Sequence, residues 1–289
     1  MPDQLVKIYW QPRLHDARMV VALTGWMDGG DTSTGTIDYL VQKLPAQKVA
    51  EIESERFYIY NLPGSMEVSA LFRPHARIED GLITAYEEPT NTFYCSAEHN
   101  LVLFSGKEPN FRWREYAECL LSVALEFQVT TIYFVGSVAG LVPHTREPEF
   151  RGSVSNEQLK LLLQQHGIKP SNYDGPASIV TYLTVLAAQK GLDMVTVVAE
   201  VPAYVQGRNI RCIEAATRKL ASMLDVSVDY DELKAMGERF DMMLAKLLEE
   251  RPELAEYIRK MEDDYDREIL DSEMADLKAW LEQQGIRLD

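Results

Sequence analysis

Short apolar runs alternate with segments of helical spacing over residues 18–224. The runs at 18–25, 130–135 and 194–199 contain few polar residues, which predicts strands that are covered on both faces. Between and after these runs, apolar residues recur at intervals of three and four, which predicts helices. The predicted helices cover 32–44, 112–127, 155–166, 177–190 and 209–224, the third with Ser155 and Gln158 as a capping box.

The order of these elements predicts the architecture. Strands that are separated by helices of this length pair in parallel through right-handed crossovers. The middle of the chain is mostly extended instead, with predicted strands at 57–60, 82–86 and 100–104 and a turn at Asn91 between the last two. We therefore predict an α/β fold, a three-layer α/β/α sandwich with a mixed, mostly parallel sheet.

A different kind of segment begins near Ser227. Asp229 and Glu232 have the spacing of a capping box at its start. Apolar residues then recur every three or four positions and form one stripe on a helix. The stripe consists of Met236, Phe240, Met243, Leu244, Leu247, Leu248, Leu254, Ile258, Met261, Tyr265, Ile269, Leu277, Trp280 and Leu281.

We predict two units from this change, a sandwich domain at 1–228 and an acidic amphipathic helical extension at 229–289. Pro252 interrupts the extension, and proline is well tolerated in the first turn of a new helix. The apolar stripe must be covered, either by the chain's own body or by a neighbouring subunit. The sequence leaves both arrangements open.

Charge and cysteine content narrow the class of protein. The 289 residues hold 45 acids against 29 bases, a net charge of −16, and the segment from Asp225 onward carries 20 acids against 9 bases. This excess makes nucleic acid and anionic lipid poor partners. No run approaches the roughly 18 apolar residues of a membrane span, and residues 1–4 do not begin a signal peptide. Three distant cysteines fit a reducing compartment, so we expect a cytoplasmic protein.

Two acidic residues lie in a glycine-rich turn between a predicted strand and a predicted helix. The turn at 25–31 reads Gly-Trp-Met-Asp-Gly-Gly-Asp. Unpaired backbone amides at a helix start attract anions, but Asp28 and Asp31 already place negative charge there. We expect both carboxylates to cap the helix, and a ligand or cation site is the alternative.

His144, Thr145 and Arg146 follow the strand predicted at 130–135, at the sheet edge where open α/β folds bind ligands. An imidazole, a hydroxyl and a guanidinium together can bind phosphate or carboxylate. The alternative is a structural loop in which the guanidinium of Arg146 forms local ion pairs. The carboxylates expected for those pairs are Glu147, Glu149 and the two of the 25–31 turn.

Familiar catalytic motifs are missing from the sequence. The order Gly-Ser-Val-Ala-Gly at 136–140 differs from the GxSxG of a nucleophile elbow, and Lys107 lacks the upstream glycine of a P-loop. The five histidines form no HExxH motif and the cysteines no CxxC motif. We therefore predict neither a metal nor a cofactor. Trp113 is expected to be a packing anchor, with a stacking platform as the alternative.

Six motifs occur in a fixed order and resemble the bacterial branch of the proteasome assembly chaperone family, of the second-subunit type. They lie at 25–31, 107–113, 142–146, 173–176, 201–205 and 257–266. The resemblance implies an α/β/α sandwich similar to nucleoside phosphorylases. It also implies proteasome assembly as the role of eukaryotic and archaeal relatives, and homo-oligomers, often trimers, among bacterial ones.

Two features depart from the family pattern. Met27 stands where family members usually have Asn, so a polar side chain is lost from the turn. The chain ends in Arg287-Leu288-Asp289, whereas relatives that dock on proteasomes often end in a hydrophobic residue, Tyr and any residue. This departure argues against docking through this end.

Two functions remain open. The first is a non-catalytic oligomeric scaffold or assembly chaperone, which binds copies of itself, as a trimer, and a further protein. The alternative is a small-molecule binder or enzyme related to nucleoside phosphorylases, with Arg146 as anion clamp, His144 as acid or base, and Asp28, Glu108 and Tyr204 beside them. The alternative requires these side chains to line one open pocket, whereas the scaffold hypothesis requires them to pair with each other.

Overall fold

The computed structural model describes residues 5–205 and 207–283. The strands are β1 (Val6–Ile8), β2 (Ala17–Thr24), β3 (Gln47–Ile52), β4 (His75–Glu79), β5 (Leu82–Glu87), β6 (Thr92–Ser96), β7 (Leu101–Lys107), β8 (Val129–Gly140), β9 (Phe150–Val154), β10 (Lys169–Pro170) and β11 (Asp193–Pro202). The helices are α1 (Thr32–Lys43), α2 (Met66–Ala70), α3 (Trp113–Glu126), α4 (Lys160–Gln165), α5 (Ile179–Gln189), α6 (Ile210–Met223), α7 (Asp231–Glu250) and α8 (Pro252–Gln283).

One nine-stranded sheet forms the centre of the fold, in the order β1-β3-β6-β7-β2-β8-β11-β9-β10. Its four middle strands, β7, β2, β8 and β11, are mutually parallel. Antiparallel strands flank them, because β6 pairs with β7 and β9 with β11 in the opposite sense. The predicted mixed sheet is therefore confirmed, and its parallel centre brings four strand ends to one rim.

Two hydrophobic cores cover the two faces of this sheet. Alternating residues of one strand enter different cores, as Met19 and Val20 of β2 do, since successive side chains point to opposite faces. Helices α3 and α5 pack on the face of Met19, and α1 and α6 pack on the face of Val20. Both faces are buried, which explains the apolar runs in the sequence and confirms the three-layer sandwich.

The middle of the chain differs from the prediction. Residues 57–60 do not form a strand; the carbonyl of Phe57 accepts from the amide of Asn110 at 2.9 Å, so this segment joins the loop after β7. Asn91 is buried just before β6, a strand that the sequence analysis missed. Its Oδ1 accepts hydrogen bonds from the hydroxyls of Tyr58 at 2.7 Å and Tyr116 at 2.8 Å. A polar residue that suggested a turn thus serves as a buried acceptor.

The predicted helix at 155–166 is also corrected. Ser155 is not its cap, because its Oγ accepts from the amide of Met194 on β11. The Asn156 side chain instead accepts from the amides of Gln158 and Leu159, and a 3₁₀ turn leads into the short α4. The preceding strand β9 was not predicted.

The C-terminal extension forms two helices, as predicted. Helix α7 begins at Asp231 rather than Asp229, whose Oδ1 accepts from the amide of Asp231 at 2.9 Å, so the expected capping box does not form. Leu233 of α7 joins the core under α1 and α6, and Arg211 of α6 pairs with Asp241. One side of α7 therefore packs on the chain's own body.

Some expectations lie outside the described residues. They concern residues 1–4, the chain end Arg287-Leu288-Asp289, and the side chains of Leu277, Trp280 and Leu281. Within the described ranges, none of the helices is long and apolar enough to cross a membrane.

Candidate functional site

All nine candidate residues lie at one rim of the sheet, where the four parallel strands end. Trp26, Asp28 and Asp31 follow β2, Glu108 and Trp113 follow β7, and Tyr204 follows β11. His144, Thr145 and Arg146 follow β8. The carboxyl ends of parallel strands meet at the same edge, so this placement follows from the topology.

The turn at 25–31 is fixed by the loop after β7 on one side and by β8 on the other. Gly25 has φ +149, and a Cβ at this position would lie 2.8 Å from the Glu108 side chain, so glycine is required there. Glu108 Oε2 accepts from the amide of Trp26 at 3.0 Å. On the other side, Ser137 donates its amide to the carbonyl of Met27 at 2.9 Å and its hydroxyl to that of Gly29 at 2.8 Å. Backbone groups of the turn thus have fixed hydrogen-bond partners on both sides.

The two acidic residues of the turn behave differently. Asp28 accepts from the amide of Thr34 at 3.1 Å and from its hydroxyl at 2.8 Å, and so caps the start of α1. Burial raises the pKa of Asp28, while the bonds from Thr34 oppose the shift. Asp31 has a left-handed backbone, and no side-chain hydrogen bond from it caps α1 in the part of the chain that the structure describes. The expectation of two capping carboxylates is therefore wrong for Asp31.

Trp113 is half-buried at the first turn of α3. Its indole Nε1 donates to the carbonyl of Pro109 at 3.0 Å, and its ring packs against the core on the face of α3 and α5. This contact ties the start of the helix to the loop after β7.

His144 and Tyr204 form a closed pair. The backbone amide of His144 donates to the Tyr204 hydroxyl oxygen at 2.7 Å, and the same hydroxyl lies 2.7 Å from His144 Nδ1. The imidazole tautomer decides whether the hydroxyl or Nδ1 is the donor in this second bond. Burial lowers the pKa of His144, although Asp241 and Glu262 oppose the shift.

Arg146 pairs with the C-terminal extension. Its Nε and Nη2 donate to Asp266 Oδ1 and Oδ2 at 2.8 and 2.7 Å, a bidentate ion pair. Thr145 donates its hydroxyl to Glu262, one turn earlier on α8. The bond to Asp266 raises the pKa of Arg146 and lowers that of Asp266. The expectation of local pairs, with Glu147, Glu149 or the 25–31 turn, is therefore wrong.

These contacts form separate groups rather than one open pocket. His144 and Arg146 border a cavity of about 10 Å³ closed by Arg211 and Phe240, and this volume holds at most one water. Asp28 accepts its hydrogen bonds from Thr34 of α1 instead, and Glu108 accepts one from the amide of Trp26. The arrangement orders loops and holds α8.

A groove of about 580 Å³ opens beside Trp26, and the sequence analysis missed it. Val138, Thr196 and Val198 form its floor on β8 and β11, and Trp26 and Val185 lie at its sides. All of its described lining residues are uncharged. Its lining comes from several segments that are distant in the sequence, and the motifs at 25–31 and 173–176 supply only part of it, so no single motif could indicate it.

The fold and the site together define the class of protein. It is an α/β/α sandwich in which side chains at the rim of the sheet pair with one another. The chain belongs to the PAC2 family, whose model matches residues 22–248. This confirms the resemblance in the sequence. Among curated proteins, none matches.

Solved structures agree with this assignment. Rv2714, a Mycobacterium tuberculosis protein of unknown function, is 20% identical with a TM-score of 0.83, over 94% of this chain and 92% of that one. Rv2125, a proteasome-assembly chaperone homologue from the same organism, is 29% identical with a TM-score of 0.71, over 83% and 99%. The archaeal proteasome activator PbaB from Pyrococcus furiosus is 18% identical with a TM-score of 0.62, over 84% and 97%, and shares the fold.

Proposed function

We propose that this protein is a non-catalytic, cytoplasmic scaffold or assembly chaperone that associates with itself, as a trimer, and binds a further protein. The observation that carries the proposal is the pairing at the rim. Arg146 is held by Asp266, and His144 by Tyr204, whereas Asp28 caps α1. Groups that hold each other in this way order the loops and are not free to act on a substrate.

The C-terminal helices supply a surface for a protein partner. Apolar side chains stay exposed on α7 and α8, on a segment rich in acidic residues. We call these residues the tail surface: Met236, Met242, Met243, Leu247, Leu254 and Tyr257. Exposed apolar patches mark interaction sites, and methionine adapts its shape to a partner.

The family supports the same direction. The PAC2 match covers most of the sandwich and most of α7. Rv2125 is described as a proteasome-assembly chaperone homologue and PbaB as a proteasome activator, which are roles in contact with another protein complex. We extend the general role, binding to a protein assembly, to this chain.

Capture of partners from the native host tests the proposal. The baits are the wild-type chain, Met243→Asp, and Ala245→Asp as the matched control, which adds the same charge to another face of α7. We expect a specific set of proteins to fall at least about tenfold with Met243→Asp and to stay with Ala245→Asp, since a charge buried in an interface is costly. The strongest binder is then purified and its dissociation constant measured with each bait. Equal affinity for all three baits would remove the tail surface from the proposal.

A further inference from the structure

A hairpin projects from the rim of the sheet. β3 ends and β6 begins at the rim where the parallel strands end, because β6 is antiparallel to β7 and β3 to β6. The chain between them forms α2 and then β4 and β5, which make a two-stranded sheet separate from the main one. A hairpin of two strands is marginally stable on its own in water.

A bulge gives this hairpin one apolar face. Ile78 pairs with Ile83 and Ala76 with Tyr86, and partners in register share a face. Regular alternation would place Ile83 and Tyr86 on opposite faces. Arg77 pairs with Ala85 but Ile78 pairs with Ile83, so the register shifts and residue 84 faces no partner in β4. This bulge returns Ile83 and Tyr86 to the same face.

This face is open to solvent. The exposed fractions of Ile78, Ile83 and Tyr86 are 66%, 73% and 60%. The opposite face carries charge, with His75 and Glu87 3.9 Å apart. We call the apolar set, Ala76, Ile78, Ile83 and Tyr86, the hairpin face.

The groove beside Trp26 has matching chemistry. Its described lining is apolar or hydroxyl-bearing and uncharged, in a chain in which 26% of the residues are charged. The hairpin face is uncharged as well, so contact between the two would bury no unpaired charge. The groove is concave and the hairpin protrudes, and both lie at the same rim.

The two surfaces lie toward opposite ends of the strand order. The hairpin emerges between β3 and β6, whereas the groove lies over β8, β11 and β9. Four strand steps separate β6 from β11, roughly 19 Å along the sheet. A contact between the hairpin of one copy and the groove of another is therefore head-to-tail, and such contacts close into rings when the rotation permits.

We propose that the hairpin face of one copy docks in the groove of a second copy and so builds the homo-oligomer. This inference rests on the self-association part of the proposed function and names the surface that performs it. Ile78, Ile83 and Tyr86 fill the groove against Val198 and Val185.

Substitutions on each surface test the docking, with mass measured by sedimentation of the full chain. Ile83→Glu charges the hairpin face. Its control is Leu82→Glu, at a neighbouring residue of similar exposure, 71%, which pairs with Glu79 on the opposite face. Val185→Glu charges the groove, and Leu161→Glu, at an exposed residue of α4, is its control. All four sites are exposed in the single chain, so the fold is retained.

We expect Ile83→Glu and Val185→Glu to weaken self-association at least about thirtyfold and leave the 32.9 kDa monomer, while both controls keep the wild-type mass. A mixture gives a sharper result. A copy with Ile83→Glu keeps its groove, and one with Val185→Glu keeps its hairpin, so the pair should form a dimer that cannot close a ring.

Other results overturn the inference in distinguishable ways. If the wild type associates and both variants keep its mass, the hairpin docking is wrong and self-association stands. If the mixed variants stay monomeric, the contact is not hairpin to groove. If the wild type itself is a monomer at every concentration, both the docking and the self-association part of the proposed function fail, whereas partner binding by the tail surface is judged by the capture experiment alone.

Discussion

Arg146 and Asp266, which are 120 residues apart in the sequence, form a bidentate ion pair between the rim of the sheet and helix α8. Glu262 reinforces it, with its carboxylate 3.7 Å from the Arg146 guanidinium and a hydrogen bond from Thr145. In the sequence, the loop with His144, Thr145 and Arg146 resembled an anion-binding site. In the structure, this loop binds a carboxylate of the same protein, that of Asp266. The pair couples the position of α8 to that of the loop.

Asp266→Asn should loosen α8 without unfolding the sandwich. The pair is solvent-exposed, so we expect the amides of α8 near residue 266 to exchange roughly two- to fivefold faster, with the core unchanged. Hydrogen exchange read by mass spectrometry measures this. Asp264→Asn, which removes the same charge from a local pair with Arg267, should leave the exchange as in the wild type. If both variants accelerated amide exchange in α8 equally, the pair between Arg146 and Asp266 would not be what holds α8.

His144 should make the fold sensitive to mild acid. Burial lowers its pKa in the folded state, so its contribution to stability is fully present above the unfolded value near 6.5 and is lost as the pH falls through the lower folded value. We expect the loss of Tm between about pH 7 and about pH 5 to be smaller in His144→Gln than in the wild type. His75→Gln, at an exposed histidine of the hairpin, is the control. If the Tm of His144→Gln depended on pH as the Tm of the wild type does, His144 would not be the group that makes the fold sensitive to acid.

Asn91→Leu should destabilise the sandwich by about 1–3 kcal/mol, because buried hydroxyls lose their acceptor. The carbonyl of Lys107 then remains for both, at 2.7 Å from the Tyr58 hydroxyl but 3.3 Å from that of Tyr116. Urea unfolding measures the loss. Combining Asn91→Leu with Tyr58→Phe should cost less than the sum of the two single changes, since donor and acceptor are removed together. Strict additivity would show that the bond contributes nothing.

The central strands could be predicted from the sequence because burial on both faces leaves a continuous apolar run, as in β8 and β11. Strands β6 and β9 were missed because they are short and contain polar residues, such as Ser96 and Arg151. Asn91 looked like a turn residue because its role depends on two tyrosines from other segments. Local patterns do not carry such partners.

The location of the candidate site could be predicted as well, since loops after parallel strands share a rim. The pairs that the side chains of this site form could not be predicted. Arg146 has carboxylates nearby in the sequence, yet it reaches α8, because the extension folds back across the rim. The groove could not be predicted for a similar reason, since β8, β9, β11, α5 and two loops that are distant in the sequence line it together.

The account depends on rim side chains that bind one another rather than a ligand. The most direct test is a thermal-shift screen of the full chain with phosphate, nucleosides and carboxylic acids, with Arg146→Ala beside the wild type. We expect none of these compounds to raise the Tm of the wild type. A compound that stabilises the wild type but not Arg146→Ala would show that the loop grips a ligand, and would contradict the account.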